Sequence, residues 1–255
     1  MANNKQKQLG RREMEIEALE MQKLRELNSS KKGRLTKQEL ESRRIELTPK
    51  QTELYKGIRH NTLTICQGPA GTSKTFTACY TALALLADQK IDRIILTKPI
   101  QESGENLGFL PGTKEEKVDP FMKSYSSNFE KIVGKATYEW MVSNQQIIIE
   151  PLAYMRGTTY DNAIMLLDEA QNCTMTQLML WVTRLGQDSK AIMMGDVSQY
   201  DIKKRDSKFL DFIDLHTGGT QVFDFKFGVE DIVRNKFLIE MVNRYEKWKS
   251  ENETK

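Results

Sequence analysis

The run Gly68-Pro69-Ala70-Gly71-Thr72-Ser73-Lys74-Thr75 sets two glycines, a lysine and a terminal hydroxyl at a spacing suited to holding phosphate. The apolar stretch 62–66 precedes it, and a helical pattern from Lys74 to Ala87 follows. A strand that runs into such a turn and then a helix aims several backbone N–H groups, and the positive end of the helix dipole, at one point. Lys74 adds a mobile cation for the outer phosphates of a nucleoside triphosphate, and the Thr75 hydroxyl is suited to ligate Mg2+. Far downstream, Ile164-Met165-Leu166-Leu167 delivers Asp168 and Glu169 to the carboxyl end of an apolar strand. Open α/β sheets bind their ligands at that edge. Adjacent positions there point to opposite sides, so Asp168 can serve the metal shell through water while Glu169 polarises an attacking water. A third apolar run, Ala191 to Met194, leads to Gly195-Asp196 and to Gln199, whose carboxamide can bond the γ-phosphate and report its loss.

These groups need a sheet to bring them together. Strands of four to seven residues alternate with longer amphipathic segments from Leu47 onward, the pattern of a mostly parallel sheet covered by helices. Strands are expected at 63–66, 93–97, 146–150, 163–167, 191–194 and 221–225, and helices at 49–59, 74–87, 120–134, 174–185, 207–214 and 229–249. Consecutive apolar residues such as Ile147-Ile148-Ile149 suit strands buried on both faces. The domain expected over 47–249 is preceded by a charged, helical extension, 1–46, and followed by a polar tail, 250–255. In the extension Ile16, Leu19, Leu24 and Leu27 form a thin apolar stripe, turn formers interrupt at 28–33, and a short charged helix follows from Lys37 to Arg44.

One position departs from the usual phosphate loop, which has glycine before the lysine where this chain has Ser73. Because that position opens a helix, an ordinary negative φ is expected there, with the usual glycine serving close backbone approach to phosphate. Nucleotide is then expected to bind with its phosphates slightly displaced and turnover slowed.

Bulk composition bounds the rest. At 255 residues the chain can bury a full α/β core. A net charge of +3 and a pI near 8.6 carry no global nucleic-acid signature, so any such contact must be local. Three widely spaced cysteines, Cys66, Cys79 and Cys173, argue for reduced thiols in a cytoplasmic protein over a disulfide framework. No apolar run reaches the eighteen or so residues that span a bilayer. His60 and His216 stand alone, and no Cys/His spacing points to zinc.

The phosphate loop, Gly104 to Gly112, Lys117-Val118-Asp119-Pro120, Pro151 to Gly157, Leu167 to Asn172, Thr183-Arg184-Leu185-Gly186, and Gly195-Asp196 with Gln199 together resemble the PhoH-like proteins, P-loop ATPases related to superfamily 1 helicases. The match runs in order over roughly residues 47 to 245. The resemblance implies a RecA-like ATPase core, an adenine-reading glutamine matched by Gln51, association with single-stranded RNA, and self-assembly, as a hexameric ring. Some relatives fuse a PIN nuclease domain; only the short tail 250–255 follows the last expected helix, so no nuclease activity is expected.

A single RecA-like unit needs a neighbour to complete its site, and an arginine supplied in trans commonly meets the charge on the transferred phosphate. Arg156, Arg184 and Arg234 are the candidates, and Arg234 is preferred over pairing with Glu230 and Asp231. For polynucleotide, the segment from Lys98 to Lys114 is the indicated surface, with Phe109 stacking on a base and Lys98 or Lys114 meeting phosphate. Phe109 serves equally well as a packing anchor, and Lys203-Lys204-Arg205 offers a further phosphate contact. The function expected is Mg2+-dependent ATP hydrolysis coupled to RNA. The rival is a nucleotide-gated assembly module without turnover; a GTP switch lacks its Asn-Lys-x-Asp element.

Overall fold

The computed structural model describes residues 35–99, 114–199 and 206–252. The N-terminal extension through residue 34, the Phe109 segment and Lys203-Lys204-Arg205 lie outside the described residues. Six strands form one sheet: β1 (Leu63–Gln67), β2 (Arg93–Thr97), β3 (Ile147–Ile149), β4 (Ala163–Leu167), β5 (Lys190–Gly195) and β6 (Val222–Lys226), in the order β3-β2-β4-β5-β1-β6. Every pairing is parallel. All carboxyl ends therefore share one edge, and β5 separates β1, which feeds the phosphate loop, from β4, which ends at the two acids.

Eight α-helices accompany the sheet among the described residues: α1 (Lys37–Ser42), α2 (Pro49–His60), α3 (Lys74–Ala87), α4 (Lys114–Val133), α5 (Lys135–Ser143), α6 (Met175–Val182), α7 (Phe209–His216) and α8 (Lys236–Asn252). The strand period of two divides them. Leu63, Ile65, Ile95, Met165, Leu167, Ala191 and Met193 join a core with Trp181 of α6 and with Phe209 and Phe212 of α7. The alternate residues, Thr64, Cys66, Ile94, Leu96, Ile164, Leu166, Ile192 and Met194, are equally buried and face the layer that contains α3. Helix α3 is covered in turn by α1, α2 and α4, so its buried set, Thr77 to Leu86, runs nearly all the way round. Its two inner threonines return their hydroxyls to backbone carbonyls one turn back, Thr77 to Ser73 and Thr81 to Thr77, which disposes of the polar groups that this burial would otherwise strand. All three cysteines are free and buried, and burial pushes the Cys66 and Cys173 thiols up to about 12.

One expected helix is broken, and one helix was not foreseen. Positions 229–249 read as one helix, but only Val229–Asp231 forms a 3-10 turn before a break, and α8 starts at Lys236. Polar groups fasten the break: Asp231 accepts from the Gly228 amide at 2.8 Å, Asn235 Oδ1 accepts from the Phe237 amide at 2.9 Å, and the Val233 amide donates to Gly71 O at 3.1 Å. Helix α5, not expected, follows Gly134, whose φ of +88° turns the chain out of α4 at little steric cost to glycine.

Candidate nucleotide-binding site

At the carboxyl edge the phosphate loop, the acid pair and the Gly195–Gln199 turn surround a cleft of about 790 Å³, lined by Ser73, Lys74, Thr75, Asp168, Glu169 and Gln199 among others. The loop is held from both sides. The Gly68 amide donates to Gly195 O at 3.2 Å, and the Phe227 amide donates to Gln67 O at 2.9 Å, so the ends of β5 and β6 clamp it. Gly71 has a φ of +89°, a conformation that strains a side chain, and an added Cβ would displace the Leu238 terminal methyl, 2.8 Å away. The Thr72 hydroxyl closes the turn onto Pro69 O at 2.9 Å. Lys74 arches back over the loop, its Nζ donating to Gly68 O at 2.5 Å and Pro69 O at 3.0 Å.

Ser73 corrects the expectation of an ordinary dihedral. Its φ is +67° and its ψ +32°, the left-handed region, and its hydroxyl caps nothing in the helix. The tight reversal into α3 imposes that backbone, with Ser73 O accepting from both the Thr77 amide and the Thr77 hydroxyl. The usual glycine thus supplies the dihedral itself. An L-residue there costs about 1–2 kcal/mol, partly offset by the roughly 0.5–1 kcal/mol that a glycine loses in chain freedom. Ser73→Gly is therefore expected to raise stability by up to about 1 kcal/mol, read as a thermal midpoint higher by about 2–4 °C. A lower midpoint would show that the serine side chain makes a stabilising contact.

The two acids reach different hydrogen-bond partners, but not through strand alternation: β4 ends at Leu167, and the Glu169 backbone is left-handed. Asp168 turns toward α3 and α4: Thr75 Oγ1 lies 3.4 and 3.3 Å from its two oxygens, and Ser124 Oγ donates to Oδ2 at 3.4 Å. Burial pushes the Asp168 carboxyl above its ordinary range; Lys98 pulls it back, and the Glu169 charge adds to the rise. A desolvated carboxylate beside a threonine hydroxyl is the hard oxygen donor set that Mg2+ takes, so these residues fit that ion. Glu169 instead accepts from Gln171 Nε2 on Oε2 at 2.7 Å. Its backbone is also left-handed, with φ at +58° and ψ at +38°. Two non-glycine residues in this conformation, Ser73 and Glu169, flank one cleft, where stored backbone strain commonly marks a working site.

Other sequence expectations land as follows. Gln51 lines the cleft and is 5% exposed; its Oε1 accepts from the Thr48 amide in a capping box. Gln199 is at the rim, its amide bonded to Asp196 O at 3.1 Å. Arg234 is exposed and lines the cleft of its own chain, brought there by the break before α8. Arg184 lies in a turn beyond α6, bonded to Thr158 O at 3.3 Å. Lys98 does not stand out toward solvent: its side chain is 15% exposed, and Nζ lies 3.8 Å from Asp168 Oδ2 and 3.9 Å from Glu169 Oε1. Phe109 is outside the described residues, and Lys114 is placed as the first residue of α4.

The wall formed by α4 was not foreseen. Lys123, Ser124, Ser127, Asn128 and Lys131 line the cleft on one face of that helix, while Tyr125, Phe129 and Ile132 are buried on the other. The i, i+4 polar stripe was readable, but an amphipathic helix shows the same stripe when it faces only water.

A family model described as PhoH-like protein matches residues 45–246. The chain belongs to the PhoH-like family. It is 38% identical to a PhoH-like protein of Synechocystis over 80% of the chain and 62% of that protein, and 39% identical to one of Bacillus subtilis over 77% and 62%. It is 33% identical to Protein PhoH of Escherichia coli over 76% of the chain and 56% of that protein. The PhoH-like chain thus matches about three-fifths of these relatives' own length. In fold it is similar to the large terminase of a thermophilic bacteriophage, with TM-scores of 0.51 and 0.52 in two crystal forms at 10% identity, covering 78–79% of this chain and 49–50% of the terminase. The sheet and loop are those of an α/β P-loop NTPase-like core, in keeping with the RecA-like expectation. No helix among the described residues is long and apolar enough to cross a membrane.

Proposed function

We propose that this PhoH-like chain binds ATP and hydrolyses it to ADP and phosphate. The observation that carries the reading is the meeting of Thr75 with Asp168 at 3.3–3.4 Å beside Lys74, which joins the phosphate loop to an acid at the end of another strand. Backbone amides of 70–75 and the N-terminus of α3 hold the phosphates. Lys74 moves its ammonium from the loop carbonyls to the β- and γ-phosphate oxygens. Thr75 and Asp168 would hold Mg2+, which supplies neutralisation of the charge that grows on the transferred phosphate. Glu169 accepts a hydrogen bond from a water and orients it in line with the γ-phosphorus. As that water's oxygen bonds to phosphorus, its proton passes by way of Glu169 to a phosphate oxygen, the bond to the β-phosphate oxygen breaks and ADP departs. Gln199 contacts the γ-phosphate. Gln51, whose Oε1 is engaged by Thr48, offers its Nε2–H to an adenine ring nitrogen.

The family resemblance adds a homo-oligomer, a hexameric ring, acting on single-stranded RNA in a cytoplasm. In that assembly Arg234 would lie at the shared rim. The deciding experiment is phosphate release by the purified chain with ATP and Mg2+, with and without RNA, beside light scattering. Turnover supports the enzyme; nucleotide-dependent size without turnover would replace it by a gated assembly module.

Lys98 separates nucleotide chemistry from RNA contact. Lys98→Met removes the ammonium 3.8–3.9 Å from both acids, and a charge pair at that separation is worth about 4 kcal/mol near a protein surface before desolvation, so hydrolysis is expected to fall at least tenfold. The slope of RNA affinity against salt is expected to stay unchanged. A slope reduced by about one unit would return Lys98 to the phosphate-contact role.

A further inference from the structure

Between the acid pair and the γ-phosphate turn lies a side chain with no part in the hydrolytic steps above. Gln171 is 2% exposed, yet neither end of its carboxamide is spent on holding local backbone together. Nε2 donates to Glu169 Oε2 at 2.7 Å, and Oε1 accepts the backbone amide of Asp196 at 3.0 Å. One rigid, planar group therefore spans the ends of β4 and β5. The space it fills is reserved: a side-chain carbon at Gly195 would lie 2.9 Å from Gln171 Oε1 and 2.6 Å from Phe209 Cε1. On the far side the turn is stiffened, with Asp196 Oδ1 accepting from the Ser198 amide at 2.9 Å and its hydroxyl at 2.6 Å, and the Gln199 amide donating to Asp196 O at 3.1 Å.

We propose that Gln171 is a positioning residue that ties the carboxylate of Glu169 to the Asp196–Gln199 turn, so that contact of Gln199 with the γ-phosphate fixes the orientation of the water-polarising group. The proposal rests on the hydrolytic reading above. The donor on Oε2 fixes the plane of the Glu169 carboxylate and leaves Oε1, 3.9 Å from Lys98 Nζ, to face the water. Because the carboxamide joins the two bonds end to end, displacement of the turn is transmitted to Glu169 with little slack.

Gln171→Met keeps length and burial and removes both bonds. Gln171→Glu keeps an acceptor for the Asp196 amide, removes the donor to Glu169 and sets a second acid against its carboxylate. Three readouts are taken on the full chain: steady-state hydrolysis, ATP affinity by calorimetry, and amide exchange at Asp196. Both variants are expected to lose about tenfold to a hundredfold in kcat, the worth of one hydrogen bond to a charged group, with ATP affinity within about twofold. Exchange at Asp196 is expected to quicken in Gln171→Met and to stay slow in Gln171→Glu. Combined with Gln199→Ala, the loss in kcat should be less than the product of the single losses, as for members of one linked unit.

A kcat loss matched by an equal loss of ATP affinity, or full multiplicativity with Gln199→Ala, would overturn the proposal. So would unchanged Asp196 exchange in Gln171→Met. That exchange measurement needs no turnover, so a wild-type chain that fails to hydrolyse ATP sinks the hydrolytic reading while the tether itself stands or falls on exchange.

Discussion

Glu169→Gln is expected to lower kcat by about two to four orders of magnitude, the range over which a positioned acid–base group contributes, while ATP affinity changes by less than about threefold. The two effects separate because Asp168 and Glu169 face different partners. Asp168 addresses Thr75 and Ser124 on the phosphate side, whereas Glu169 is held by Gln171; Lys98 is the neighbour they share. The substitution removes the charge and keeps the shape, and a carboxamide oxygen at the same place can still accept from Gln171 Nε2, so the left-handed backbone at 169 gains no new strain. Single-turnover phosphate release, set beside a calorimetric ATP titration of the same preparation, provides the check. Wild-type turnover in this variant would remove Glu169 from the chemistry and shift attention to other acids of the cleft. A collapse of affinity would place it among the binding groups instead.

Much of this arrangement was legible because burial on both faces leaves a plain mark. Strands β2 and β4 were expected at Arg93–Thr97 and Ala163–Leu167 and lie there, since an unbroken run of apolar residues in a chain that alternates with helices has few other places to go. Helix α3 likewise begins at Lys74 and ends at Ala87 as expected, bounded by the phosphate turn and by a polar stretch. What was not legible depends on partners distant in sequence. The break at 232–235 exists because the Val233 amide is claimed by Gly71 O across the fold, a bond that no helical periodicity records. Lys98 reads as a cation beside glycine-rich sequence, and only the register of β2 beside β4 puts it against Asp168 and Glu169. At Ser73 the local preference for negative φ is overruled by the geometry of the turn, the kind of conflict that concentrates where function fixes the backbone.

The second large effect is expected at Gly68, where two independent penalties coincide. Its φ of +154° lies in a region that side chains avoid, at a cost of about 1–3 kcal/mol. A Cβ there would also stand 2.7 Å from Phe227 Cβ and 3.0 Å from Phe227 O, atoms close to or within the backbone that follows β6 and so unable to swing aside. Overpacking of that kind costs about another 1–3 kcal/mol. Gly68→Ala is thus expected to destabilise the chain by at least about 2 kcal/mol. The loop can escape only by giving up the Gly68 amide bond to Gly195 O, which would pull the phosphate amides out of register and weaken ATP binding at least tenfold in the protein that remains folded. Gly218→Ala is the control: that glycine has a φ of +82° but nothing within 4 Å of an added carbon, so it bears the dihedral cost without the crowding. Denaturant midpoints for the two variants, with ATP titrations alongside, should therefore differ by the crowding contribution, and only Gly68→Ala should lose nucleotide. Equal midpoints and equal ATP affinities would show that the loop accommodates a side chain between β5 and β6, and that its grip on phosphate does not depend on that close approach.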